Sequence, residues 1–201
     1  MQFRLVYQGP LPSASNSNSR ATEKHAIRRA LDPQLRELWK THPFLKERFN
    51  PGITQGDKLV SWVELTANQW RRCGYRFMPL IGDHFGNGPK SLGCALDILF
   101  LRFDQPPGEI LRGGGDIDNR IKTLFDALQM PGSCEGVDPP SGSDDMLFCL
   151  LEDDSLVTEV KITTDRLLEN RTSSRPSLDV HLIIHVRTLV LGASGFTAFM
   201  T

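Results

Sequence analysis

The chain has 201 residues, 39% of them hydrophobic and 23% charged, with a formal net charge of −1. This is the balance of a globular domain with a proper core, and it carries no overall basic excess of the kind that marks many nucleic-acid binders. Four cysteines without a C-x-x-C pair support neither a zinc ribbon nor a redox motif, and no apolar run approaches the ~18 residues of a membrane span.

The net charge hides a polarity. Residues 20–48 hold eight Lys and Arg against four Asp and Glu, whereas residues 129–154 hold seven acids and no base. The start, "MQFRLVYQGPLPS", lacks the apolar stretch behind a basic end that a signal peptide needs. Reduced thiols in a cytoplasmic protein are therefore expected.

In chain order, "QFRLVYQG" alternates Phe3, Leu5 and Tyr7 against Gln2, Arg4 and Val6, and predicts a strand. "PLPSASNSNS" is a loop. Residues 21–49 are helical in character. Ala26, Ile27 and Ala30 form one short apolar stripe, and Leu35, Leu38 and Trp39 form another after Pro33. "KLVSWVELTANQWRRCGYRFMPLIGD" holds strand structure, and "GDHFGNGPKSLG" is a turn-rich break without the spacing of a phosphate loop. "CALDILFLRFD", Cys94 to Asp104, is apolar on both faces and predicts a strand inside a sheet. A helix is expected from Asn119 to Met130, with Ile121, Leu124, Phe125 and Leu128 on its buried face. A Pro, Gly, Ser and acid-rich segment follows, then two strands in "SLVTEVKITT" and "SLDVHLIIHVRTLVL". No internal repeat or second domain is visible.

The chemistry concentrates in "GGGDIDNRIKTLFDAL" and "EDDSLV". Asp116 and Asp118 lie two apart, so an extended backbone points both carboxylates one way. Asp118 also stands where a helix N-cap belongs, with Lys122 and Asp126 following at four-residue intervals on the polar face. Asp153 and Asp154 precede the next strand. Each feature alone has a plain structural reading: a cap, an i, i+4 surface pair, a solvated turn. Together they suit Mg²⁺, which takes hard oxygen ligands and polarises phosphoryl oxygens. His25 and His42 are expected to be solvated. His181 and His185 are expected to be ordinary strand residues, and Trp39, Trp62 and Trp70 to be packed in the interior.

The pattern D-I-D-N-R-I-K-T-L-F-D-A-L followed by D-D-S-L-V resembles the RusA-type Holliday-junction resolvases, over roughly Gly115 to Lys161. The opening strand running into "GPLPS" is similar more weakly. The resemblance implies an α+β fold, with helices on a small central mixed sheet in one domain spanning residues 1–201. It also implies a Mg²⁺-dependent endodeoxyribonuclease of recombination and repair, in a bacterium or phage, that acts as a homodimer on four-way or other branched DNA. Asp116, Asp118 and Asp154 would bind the metal and Lys122 would be the catalytic lysine, with Asn119 and Asp126 in supporting roles and Asp153 a neighbour. The chain is longer than a minimal member and carries an acidic insertion at about 130–152, which offers a surface to a basic protein partner. A non-catalytic branched-DNA-binding or regulatory protein on the same scaffold is the alternative. In either reading the basic segment from Arg20 to Arg48 would contact phosphates.

Overall fold

The computed structural model describes residues 1–13, 20–83, 92–103, 117–141, 145–168 and 178–192. Nine strands and four helices lie among them: β1 (Gln2–Pro10), α1 (Ala21–Thr41), α2 (Pro43–Phe49), β2 (Pro51–Gln55), β3 (Lys58–Ser61), α3 (Trp62–Ala67), β4 (Arg71–Arg72), β5 (Tyr75–Ile81), β6 (Leu92–Arg102), α4 (Ile117–Leu128), β7 (Met146–Leu151), β8 (Val157–Arg166) and β9 (Asp179–Val190). The fold is α+β with mixed sheets, as the sequence implied.

The larger sheet has the order β1-β9-β6-β8. β9 runs antiparallel to both β1 and β6, and β8 runs parallel to β6. Strand alternation divides this sheet cleanly. Leu5, Tyr7, Leu96, Ile98, Phe100, Leu182, Ile184 and Val186 point into the core. A smaller sheet, β4-β5-β7, pairs β5 parallel to β7, and β2 and β3 form a separate hairpin.

The helical segment departs from expectation in two ways. First, α1 runs unbroken through Pro33. Second, its buried face is not the alanine stripe: Ala26 and Ala30 are exposed, while Lys24, His25, Ile27, Arg28, Leu31, Leu35 and Trp39 are buried. Burying two cations is tolerable only because partners await them. Lys24 Nζ meets Asp126 Oδ2 at 2.8 Å. Arg28 donates from Nε to the carbonyl of Gln129 at 2.7 Å and from Nη2 to the carbonyl of Asp126. These carbonyls end α4, where a helix leaves acceptors unsatisfied and carries partial negative charge. Further along α1, Asp32 accepts the Phe148 amide at 2.7 Å and Arg36 donates to the Met146 carbonyl at 2.8 Å, binding the helix to β7. Arg36 also lies 5.0 Å from the Phe148 ring, and Arg48 lies 3.9 Å from the Phe44 ring. Much of the basic segment is thus engaged inside the protein.

Three other expectations change. The stretch "KLVSWVELTANQW" contains a helix, α3, opened by a capping box: Ser61 Oγ accepts the Glu64 amide, and Glu64 Oε2 accepts the Ser61 amide. The acidic insertion ends earlier than residue 152, because Met146–Leu151 is the buried strand β7. Finally, Cys73 and Cys134 are joined by a disulfide across a sequence separation of 61, so these two thiols are not reduced as expected. Cys94 and Cys149 are free and buried.

The two long edges of the larger sheet differ. At β1 the side chain of Gln34 accepts the Val6 amide at 2.9 Å and donates to the Val6 carbonyl at 2.7 Å, so α1 closes that edge at its middle. At β8 no described residue does this. Val160 and Ile162 lie opposite the buried Leu96 and Ile98, yet remain 42% and 37% exposed.

Candidate functional site

α4 is amphipathic for the reason its sequence gives. Ile121, Leu124 and Leu128 are buried and Phe125 partly so, which leaves Asp118 and Lys122 exposed one turn apart. The helix begins at Ile117, so Asp118 lies within the first turn rather than at the N-cap. Its Oδ1 accepts the neighbouring Asn119 amide at 2.7 Å. A carboxylate in a first helical turn is favoured by the helix dipole.

Asp154 arrives from a different part of the chain. It opens a 3-10 turn, Asp154–Leu156, between β7 and β8. Asp153 caps that turn, its Oδ1 accepting the Ser155 amide at 2.9 Å, and Leu156 anchors it in the core. The decisive hold comes from Gln129, whose Oε1 accepts the Asp154 amide at 2.9 Å. Gln129 is itself fixed: its carbonyl takes Arg28, it bridges to Leu151, and the next amide, Met130, donates to the Leu151 carbonyl at 3.1 Å. The end of α4 and the end of β7 are therefore locked together, and with them Asp118 and Asp154.

Both acids and Lys122 open into one cleft of about 400 Å³. Its apolar floor is Ile117, Ile121, Phe125 and Ile162, the last from β8. Asp126 lies at its margin, but its carboxylate is occupied by Lys24. Among the described residues, Asp118, Asp154 and Lys122 make no ion pair with one another or with other side chains. Asp153 turns to its own backbone. Glu152 accepts the Asp83 amide at 2.8 Å, and burial, with the Asp83 and Asp153 charges, raises its carboxyl pKa. Asp116 lies outside the described residues, as do the glycines before it.

The residues fit a hard divalent cation in kind: two carboxylates face a solvent-open cleft, uncommitted to any cation among the described residues. Among the described residues no group of three or more His, Cys, Asp or Glu side chains is gathered for a metal. Such a trio at this cleft would need Asp116.

The remaining candidates resolve simply. Trp39 is fully buried and stacks on Trp62 at 6.4 Å, as expected of packing aromatics. His181 and His185 stand on the outer face of β9, where His185 pairs in register with Arg4 and Asp97. His25 corrects the sequence reading: it is 6% exposed, tilted against Tyr75 at 5.1 Å, and burial pulls its pKa down to about 4. His42 is half-buried.

Comparison with protein-family models, curated proteins and solved structures finds no match to the chain. Gln129 and the buried pair Lys24 and Arg28 were not singled out by motif. Their one sequence signal was weak, two cations at the i and i+4 spacing on a helix.

Proposed function

We propose that this cleft is the active site of a Mg²⁺-dependent, structure-selective endodeoxyribonuclease acting on four-way or other branched DNA. The supporting observation is the convergence of Asp118 and Lys122 from α4 with Asp154 from the turn before β8 on one open cleft, none of them ion-paired among the described residues. Asp118 and Asp154 would hold the metal, joined by Asp116 from the segment before α4. Bound there, Mg²⁺ supplies Lewis-acid polarisation of a phosphodiester and an activated water. Lys122 presents its ammonium where charge develops on the phosphate. Gln129 keeps Asp154 in place, and the apolar floor restricts water beneath the reacting group. Paired nicks need two such clefts, and the open β8 edge offers a second copy of the chain its surface.

The test is cleavage of a labelled four-way junction, with nicks mapped on each arm. Nicking should require Mg²⁺ or Mn²⁺. Asp118→Asn, Asp154→Asn and Lys122→Ala should each lower its rate by about 10²–10³-fold, the scale of losing one stabilising group from a transition state. An Asp118→Asn protein as active as the wild type would sink the proposal. Salt-sensitive junction binding without cleavage in any divalent metal would favour the binding-protein alternative instead.

A further inference from the structure

The acidic loop after α4 is fastened at one covalent point. Cys73 (φ 53°) and Gly74 (φ 83°) make the turn between β4 and β5, and Cys134 lies across from them with Cα atoms 5.0 Å apart. Pro140 presses on this turn, since a Cβ on Gly74 would come within 3.0 Å of its Cδ. Apart from the disulfide, the loop is tied mainly by neutral acceptors. Arg72 donates to the Pro131 carbonyl at 3.3 Å, and Thr22 donates to the Gly136 carbonyl at 3.0 Å. Its acids Glu135 and Asp138 are exposed and make no ion pair among the described residues. Gly132 and Ser133 of this loop wall a second cleft, of about 320 Å³, whose other side is Lys24, Arg28 and Asp126.

The two bonded cysteines differ from the other two. Cys134 is exposed and Cys73 half-buried, so solvent reaches the bond from the Cys134 side. Cys94 and Cys149 are buried, and burial raises both thiols to about 12, so neither competes in exchange. A disulfide that is accessible, in a chain whose other thiols are protected, has the character of a reversible bond rather than a permanent staple.

We infer that Cys73–Cys134 is a thiol–disulfide clasp that fixes the acidic loop as a wall of the cleft between α1 and α4, and that its reduction frees the loop. The partner reagent is a low-molecular-weight disulfide, or in the opening direction the corresponding thiol. In the closing direction the Cys134 thiolate attacks the reagent RS–SR, forming Cys134–S–SR and expelling one thiolate. Cys73 then attacks the Cys134 sulfur and expels the second. The two cysteine protons end on the two released thiols, and the two cysteines are oxidised as RS–SR is reduced. Two equivalents of the thiol RSH reverse both steps and regenerate RS–SR. The inference does not depend on the nuclease reading.

The full chain is equilibrated in glutathione buffers from fully reduced to fully oxidised, then followed by intact mass, by peptide mapping and by digestion with a Glu-specific protease. In oxidised buffer the protein should be lighter by two hydrogens, with the bond mapped to Cys73 and Cys134. Reduction should raise cleavage after Glu135 by about tenfold, because proteolysis follows the population of the locally open state. Cys134→Ser should be cleaved at the reduced rate in both buffers. The inference is overturned if folded protein keeps both cysteines as thiols in oxidised glutathione. It is equally overturned if the bond forms but the cleavage rates of the two redox forms agree within about twofold.

Discussion

Replacing Arg28 by methionine tests how the fold holds the helix that carries Asp118 and Lys122. The substitution keeps an unbranched apolar stem in the buried position and removes only the guanidinium. Two carbonyls at the end of α4, those of Asp126 and Gln129, then lose their donors inside the protein. Each stranded acceptor costs about 1–3 kcal/mol, and taking a buried charge away returns part of that. A net loss of about 3 kcal/mol follows. For a chain of this size that is a fall in Tm of about 6–12 °C. Burial draws the guanidinium pKa down to about 10, so it remains charged at neutral pH and the loss applies throughout the physiological range. Urea unfolding followed by far-UV circular dichroism reads the change as a shift in midpoint at constant slope. A companion variant sharpens the result. Lys24→Met and Asp126→Asn should couple strongly in a double-mutant cycle, since they remove the two ends of one ion pair. If Arg28→Met costs under about 1 kcal/mol, the guanidinium is not what secures the end of α4, and the account of how Gln129 and Asp154 are held is wrong.

His25 gives a pH signature. Its folded pKa of about 4 lies below its ordinary 6.5, so between those values the unfolded chain binds a proton that the folded chain refuses, and stability falls as pH falls. Burial is the main cause, reinforced by Arg28 and Arg29 on its own helix and opposed by Asp138 from the loop, while Tyr75 packs against the ring. From pH 7 to 5.5 the urea midpoint should drop by the equivalent of about 1 kcal/mol, and His25→Leu should flatten that part of the slope. The part that persists would include half-buried His42, whose pKa burial also lowers. At the β8 edge, Val160→Lys places a charge on the uncovered apolar strip. Light scattering behind size exclusion should show twice the chain mass for wild type and the single-chain mass for the variant, with unchanged circular dichroism. Wild type that runs as a single chain at about 100 μM would count against β8 as a pairing surface, since interfaces of standard size give Kd values of about micromolar or below.

What could be read from the sequence followed from local period. β6 and α4 announced themselves because their apolar residues repeat at two and at three to four, and the structure places both within two residues of expectation. The face of α1 did not, because Lys24 and Arg28 are buried by virtue of carbonyls and a carboxylate about a hundred residues away. β7 was submerged in the acids before it, although "MLFCLL" is the unbroken apolar run of a strand covered on both faces. α3 was misread through Trp62 and Val63, which suit strands, while the Ser61 and Glu64 pair that marks its start went unused. At the site, the motif pointed to Asp116, Asp118, Lys122 and Asp154; the last three share a cleft, and Asp116 lies outside the described residues. Nothing in it disclosed that Gln129 holds Asp154, since side chain meets backbone there only through the folding of β7 against α4. The disulfide is of the same kind, joining segments with no pattern between them.

The unequal edges of the larger sheet carry a consequence for assembly size. An edge that pairs with its own kind uses itself up, whereas a sheet open on both sides can go on adding copies into a filament. Here Gln34 occupies both backbone groups of Val6 on one side, leaving β8 as the edge that no described residue closes. Pairing through β8 would therefore stop at two. One glutamine on α1 would then be a chain terminator in the polymer sense, and its loss would matter less to the monomer than to the solubility of a concentrated solution.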